Sequence, residues 1–323
     1  MKKRALITGL TGQDGSYLAE FLLAKDYEVY GLVRRVANPN YVNIEHIVDQ
    51  INILPGDLID PFSLVRAVKE SKPDEIYNLA AQSYVGISWG QPSLTFEINA
   101  LGVLNLLEAM KEYAPSARFY QASTSEMFGN SSTNGLQNEE TPFKPRSPYS
   151  IAKRSAYDLT KNYRESYGLF ACNGLLFAHE SERRGHEFVT RKISYNVAKI
   201  SLGLSDGVKF GNLDVKRDWG HAEDYVRAMW LMLQQPNPDD FVIATGENHT
   251  IREFVDKAFR CAGIENWDAY VSIDPKLVRP AEVFYSIGDS SKARAQFGWS
   301  PAVTFDQLVD RMVKADIDRL SKK

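Results

Sequence analysis

Lys3-Arg4-Ala5-Leu6-Ile7-Thr8-Gly9-Leu10-Thr11-Gly12-Gln13-Asp14-Gly15 decides the fold. A short apolar strand runs into glycines three residues apart, and Tyr17 to Lys25 continues with helical periodicity. Glycines between a strand and a helix allow a tight turn and let backbone N–H groups reach a pyrophosphate at the helix N-terminus, so the stretch reads as a dinucleotide-binding turn. The next strand, Glu28 to Val33, ends in Arg34-Arg35. An acid about twenty residues past the last glycine would bind the ribose 2′-hydroxyl of NAD. Two cations stand there instead, which favours a 2′-phosphate and hence NADP over NAD; the competing reading is a solvated basic loop.

Outward from this turn, up to about Phe177, short apolar runs alternate with amphipathic helical ones, the pattern of a parallel sheet covered on both faces. The expected strands are Ala5 to Thr8, Glu28 to Val33, Ile51 to Leu54, Glu75 to Leu79, Arg118 to Ala122 and Cys172 to Phe177. Asp60-Pro61 reads as an N-cap and first-turn proline opening a helix over Phe62 to Ser71. A helix over Phe96 to Tyr113 sets Leu101, Leu104, Leu106 and Leu107 at core-compatible spacing. Beyond Phe177 the alternation becomes irregular, with helices at Phe188 to Leu202, Ala222 to Gln234, Thr250 to Ala262 and Phe305 to Leu320, a strand at Phe241 to Ala244, and a Thr250/Glu253 capping box. The predicted class is α/β: a Rossmann-type doubly wound parallel sheet with a smaller C-terminal α/β lobe. Residues 1–177, joined by part of 213–246, are expected to hold the cofactor, and 178–323 to form an interleaved substrate-binding lobe.

A chain of 323 residues allows one large domain with a second lobe, or two domains. Its net charge of -3 gives no reason to expect nucleic-acid binding. Met1-Lys2-Lys3-Arg4 leads straight into the first strand and no long apolar run follows, so neither export nor membrane insertion is expected, and the cytoplasm is the default. Cys172 and Cys261 lie far apart without metal-type spacing, and His179, Glu180, His186 and Glu187 have neither an HExxH pattern nor a cysteine cluster beside them; no metal is expected.

The chemistry-bearing residues lie in Ser123-Thr124-Ser125-Glu126 and Tyr149-Ser150-Ile151-Ala152-Lys153. Tyrosine four residues before lysine on a helix places both on one face, where an ammonium can lower the phenol's pKa and let it act as a base. A hydride-transfer site needs only this pair, so Glu126 is a third proton-handling group. Between Phe128 and Pro148 the composition shifts to Gly, Asn, Ser, Thr and Pro; this loop is expected over the site, either as a lid or as an inert surface excursion.

TGLTGQDGSYLAEFLL (8–23), FYQASTSEMFG (119–129), PRSPYSIAK (145–153), HESERRGHEFVTRKI (179–193), RDWGHAEDYV (217–226) and RPAEV (279–283) together resemble the GDP-mannose 4,6-dehydratases, extended short-chain dehydrogenases/reductases, from Ala5 to Trp299. The tyrosine–lysine pair marks the superfamily; STSE with the 179–193 and 217–226 segments marks the dehydratase branch. The resemblance implies Thr124, Glu126, Tyr149 and Lys153 as the catalytic set. It implies an NADP site of Gly9, Gly12, Gln13, Asp14, Gly15, Arg34, Arg35, Asp57, Leu58, Leu79, Ala80, Ala81, Ser83, Tyr149, Lys153, His179 and Arg184. The GDP-sugar site would draw on Ser83, Thr124, Glu126, Val189, Thr190, Lys192, Arg217, Arg279 and Glu282; the arginines also suit a diphosphate on chemical grounds. A homo-oligomer, dimer or tetramer, is implied as well. The chain departs from the family at Ala178, where asparagine is usual, at Glu182 for proline, at Val36-Ala37-Asn38-Pro39 for serines, and at Leu94 for tyrosine. The Ala178 departure widens the sugar site or is compensated by a neighbour such as Glu182, so a GDP-heptose is an alternative substrate. The rival readings are a nucleotide-sugar reductase or epimerase, which needs no Glu126, and an NADP-sensing regulatory protein.

Overall fold

The computed structural model describes residues 2–131, 135–277, 281 and 283–322. Its central sheet has seven strands in the order β3 (Asn52–Pro55), β2 (Glu28–Val33), β1 (Arg4–Thr8), β4 (Glu75–Asn78), β5 (Arg118–Thr124), β6 (Phe170–Leu176) and Phe241–Ile243. Every neighbouring pair is parallel. Such a sheet needs cover on both faces, and β4, in the middle, is buried at all four residues.

Helices α1 (Gln13–Ala24) and α7 (Ala222–Leu233) cover one face through Leu18, Leu22, Tyr225 and Met229. On the other face lie α2 (Pro61–Ser71), α4 (Gly102–Tyr113) and α5 (Pro148–Tyr167). Strand order reverses between β1 and β4, so the crevice outside their carboxyl ends is where this architecture receives ligands. A separate cluster around Ile193, Phe254, Phe259 and Met312 joins α6 (Val189–Ser201), α8 (Ile251–Cys261) and α10 (Phe305–Ser321), with Arg191 of α6 paired to the buried Asp316 of α10. The short α9 (Ser291–Phe297) backs the last sheet strand.

The expected helix over 96–113 is not continuous. A short α3 (Pro92–Phe96) starts earlier, on Pro92, and a π-turn over Glu97–Leu101 separates it from α4. The wide turn carries Asn99, whose amide accepts from Gln82 N at 2.8 Å and donates to Gln82 O at 2.9 Å, so the break fixes the segment after β4. Leu101 also differs from expectation. It is half exposed, whereas Leu106 and Leu107 are fully buried.

Among the described residues of the 128–148 loop, none lines the crevice. Phe128 packs on Phe143 and Phe177, Gln137 bridges to Gly288, and Glu139 accepts from Val242 N at 2.7 Å, so its described residues follow the outer edge of the sheet. The same edge holds α5. Asp240, just before the last strand, accepts both guanidinium nitrogens of Arg164 at 2.8 and 2.9 Å, the Tyr157 hydroxyl, and the N and Nδ2 of Asn173. Removing one partner of a buried, hydrogen-bonded charge pair leaves the other unpaired. Asp240→Ala is therefore expected to destabilise the fold by about 2–3 kcal/mol, read as a lowered urea midpoint with unchanged slope; a midpoint within error of wild type would contradict this role.

Candidate active site

The glycine turn is built as its sequence suggests. Gly9 sits at φ 72, and a Cβ there would meet Ala80 N at 2.8 Å; at Gly15 a Cβ would meet Gly9 O at 2.3 Å. Helix α1 starts after Gly12 with no side chain capping it, and Asp14 in its first turn lines the crevice. Thr8 Oγ1 accepts from Leu79 N and Ala80 N, both at 3.1 Å, and ties the end of β4 to this turn. Leu79, Ala81 and Ser83 line the cleft.

Across the cleft stands α5. Ser147 caps it, accepting from Ser150 N at 3.1 Å while Ser150 Oγ accepts from Ser147 N at 2.9 Å, and Pro148 fills the first turn. The helix therefore begins one residue before Tyr149, and the four-residue spacing brings Tyr149 and Lys153 against the end of β5, both buried yet lining the cleft. Lys153 Nζ donates to Ala122 O at 2.9 Å. Thr124 ends β5; its Oγ1 accepts from Glu126 N at 3.2 Å, and its side chain sits near the Tyr149 phenol, whose pKa it pulls down. Ser125–Met127 form one turn of 3₁₀ helix, which delivers Glu126 to the same wall.

Electrostatics here differ from the sequence expectation. Burial pushes the Tyr149 phenol up to about 12, against the downward pull of the Thr124 side chain, and burial brings the Lys153 ammonium down to about 8. Lys153 spends a donor on a carbonyl and does not by itself hold the phenol ionised.

The far wall is Ala178–Glu180, a short β7 paired in parallel with Trp219–His221. His179 Nε2 meets Asp14 Oδ2 at 2.8 Å, and Arg184 pairs with Glu180 at 3.1 Å while its guanidinium lies 3.6 Å from the Phe188 ring centroid. Val189, Lys192 and Arg217 line the substrate side. Thr190 does not: it is fully buried and donates to Glu180 Oε2 at 2.6 Å, so it holds the wall rather than facing the cleft. Glu182 does not compensate at Ala178, because it accepts from the Tyr17 hydroxyl at 2.7 Å and lies beside His221. Ala178 itself lines the cleft.

Arg34 and Arg35 are exposed just past β2 and form no ion pair among the described residues. Asp57 and Leu58 follow β3; Asp57 Oδ1 accepts from Ile59 N at 3.3 Å, and Leu58 is buried where Gly102 leaves it room. Arg279 and Glu282 lie outside the described residues. Tyr84, Phe188 and Asn212 also line the cleft and were not foreseen. Phe188 immediately precedes Val189, the only hint the sequence offers.

Glycine turn, Tyr149/Lys153 face and Glu126 thus converge on one crevice. A family model described as GDP-mannose 4,6 dehydratase matches residues 6–312. The chain belongs to the GDP-mannose 4,6-dehydratase family. Among similar GDP-mannose 4,6-dehydratases, number 2 of Arabidopsis thaliana is 52% identical over 98% of this chain and 87% of its own length. The Homo sapiens GDP-mannose 4,6-dehydratase is 51% identical over 97% of this chain and 91% of its own length. Among solved structures, the Thermus thermophilus UDP-glucose 4-epimerase in complex with NAD superposes with a TM-score of 0.86 at 29% identity, covering 97% and 98% of the two chains. A member of the GDP-mannose 4,6-dehydratase family and an epimerase thus share this scaffold.

Proposed function

We propose that this chain converts GDP-mannose to GDP-4-keto-6-deoxymannose, using NADP that stays bound through turnover. The observation that carries the reading is a carboxylate, Glu126, on the same cleft wall as Thr124, Tyr149 and Lys153. The residues fit a dinucleotide: two glycines admit no Cβ, the uncapped α1 terminus faces the crevice, and Arg34 and Arg35 stand free for a 2′-phosphate. Bound NADP+ supplies the hydride acceptor, and its reduced form the donor.

As its phenolate, Tyr149 takes the proton of the 4-hydroxyl while the C4 hydride leaves; bound NADP+ would add to Lys153 the positive charge that ionises the phenol. Thr124, beside the phenol, meets the C4 oxygen and stabilises its changing charge. Lys153, fixed to Ala122 O, places a cation behind the phenol. The ketone at C4 makes the C5 hydrogen acidic, and Glu126 removes that proton and returns one to the C6 hydroxyl, which departs as water. Hydride then returns to C6 while Tyr149 passes the proton it took, exchangeable with solvent, to C5, so Tyr149 is restored and the reaction has no net redox change. Lys192, Arg217 and the uncapped N-terminus of α6 receive the GDP diphosphate. On this reading residues 1–177, with part of 213–246, hold the cofactor, and the interleaved 178–323 hold the sugar nucleotide.

Incubated with GDP-mannose and a trace of NADP+, the protein is expected to yield a product lighter by one water with no net NADPH. An unchanged sugar nucleotide, or NADPH formed in step with product, would refute the reading. A GDP-heptose is the second substrate to try in the same assay, because Ala178 is a small side chain on the cleft wall.

NADP should bind about tenfold or more tightly than NAD, and Arg34→Ala with Arg35→Ala should erase that preference. Equal affinities in the wild type would show the two cations to be surface charge.

A homo-oligomer is proposed from apolar side chains exposed on and around α5. Ile87, Leu94, Phe96, Leu101 and Ile151 are each two-fifths exposed or more, and their elements all pack on or belong to α5. Among the described residues no helix is long and apolar enough to cross a membrane; we place the chain in the cytoplasm.

A further inference from the structure

His179 touches two acceptors. Its Nδ1 lies 2.8 Å from Phe177 O and its Nε2 lies 2.8 Å from Asp14 Oδ2. A neutral imidazole has one N–H and can satisfy only one of them; both are satisfied only when both nitrogens carry protons. The partner is a committed anion: Asp14 is held down to about 2 by His179, by the Gln13 amide at 3.0 Å and by Arg184. Asp14 also sits in the first turn of α1, where a dinucleotide's diphosphate must approach. An unneutralised carboxylate at that point would repel it.

We propose that Asp14 is a positioning residue that keeps His179 doubly protonated, and that this ion pair sets dinucleotide affinity in two ways. It cancels the Asp14 charge beside the α1 N-terminus, and it pins the wall strand β7 against the glycine turn. Gln13 reinforces the second role, its amide donating to His179 O at 3.0 Å. The proposal rests on the reading of the cleft as an NADP site.

The groups facing His179 decide the sign. Asp14 of α1 and the Phe177 carbonyl favour the cation, while burial and Arg184 oppose it; the net direction is upward from the ordinary value. The Tyr225 ring of α7 stacks on the imidazole at 4.5 Å and 18° and adds no charge of its own. Lys153 of α5 is the next titratable cation to feel Asp14. A raised histidine pKa means the ion pair is complete at and below the ordinary range and is lost as pH rises through the raised value. NADP affinity therefore falls on the alkaline side. Lys153, near 8, titrates there too. Because Asp14 also raises Lys153, the share belonging to His179 is the part that disappears both in Asp14→Asn and in His179→Gln, which keeps the Asp14 charge.

The test is a proton NMR titration of the histidine Cε1–H resonances in the full chain, with the signal missing from His179→Gln assigned to His179. The chain has five histidines, so the assignment is practicable. In the wild type His179 should titrate above the ordinary value of about 6.5, and in Asp14→Asn it should move down by one unit or more. NADP+ binding, followed in the same two proteins, should weaken about tenfold across the wild-type His179 titration and about twofold or less in Asp14→Asn over the same pH range. A wild-type His179 that titrates at or below the ordinary value overturns the proposal. So does an Asp14→Asn protein that keeps the wild-type pH profile of binding. Failure to bind NADP+ at any pH overturns the cofactor reading and this proposal with it; the histidine titration, which needs no ligand, separates that failure from the others.

Discussion

Glu126→Gln is expected to fold, to bind NADP as the wild type does, and to slow elimination of water by a factor on the order of 10²–10⁴. Glutamine has nearly the shape of glutamate, and the main-chain N–H of this residue is already held by Thr124 Oγ1 at 3.2 Å, so the turn after β5 should survive the change. What is lost is a group that accepts a proton from C5 and gives one to the departing hydroxyl. Oxidation at C4 depends on Tyr149 and Lys153, which the substitution leaves alone, so NADPH and a 4-keto hexose should accumulate on the protein. Rapid-mixing absorbance would show the NADPH as a burst without product. In deuterated water the wild type should label C5 of its product. Full turnover by Glu126→Gln would remove Glu126 from the chemistry.

Tyr149→Phe is expected to stop the reaction one step earlier, lowering kcat by a factor on the order of 10³–10⁴, because no other group takes the 4-hydroxyl proton. The phenol is buried against Thr124, with Lys153 one helical turn beyond. Deleting only the hydroxyl leaves the ring's packing and the α5 capping box intact. The contrast with Glu126→Gln is qualitative: Tyr149→Phe should show neither product nor an NADPH burst, while NADP still binds. An NADPH burst in Tyr149→Phe would assign the first proton transfer to another residue.

Much of the fold was legible in the sequence because its signals are local. The glycine spacing of 9–15, with a strand before it and helical periodicity after it, marks a strand-to-helix turn, and Gly9 against Ala80 and Gly15 against Gly9 show why glycine is needed there. The Tyr149/Lys153 face needed only helical periodicity and the Ser147-Pro148 start. Non-local contacts were not legible. His179 and Asp14 are 165 residues apart, and nothing in either neighbourhood announces their pairing. Thr190 lies in a segment rich in site residues, yet it turns inward because the buried Glu180 carboxylate needs a donor. The π-turn at Glu97–Leu101 is set by Asn99 reaching Gln82, a tertiary bond that overrides the regular helical pattern and leaves Leu101 outside the core. The composition of 128–148 left a lid and a surface excursion both open, and the packing of Phe128 on Phe143 and Phe177 ties its described residues to the sheet edge.

The central claim is that one bound cofactor takes hydride from C4 and returns it to C6 of the same sugar while Glu126 eliminates water between them. GDP-mannose deuterated at C4, turned over in ordinary water and read by mass spectrometry and proton NMR of the product, tests it most directly. The account predicts one deuterium retained and located at C6 of GDP-4-keto-6-deoxymannose. Deuterium lost to solvent, released on free NADPH, or found still at C4 would contradict it.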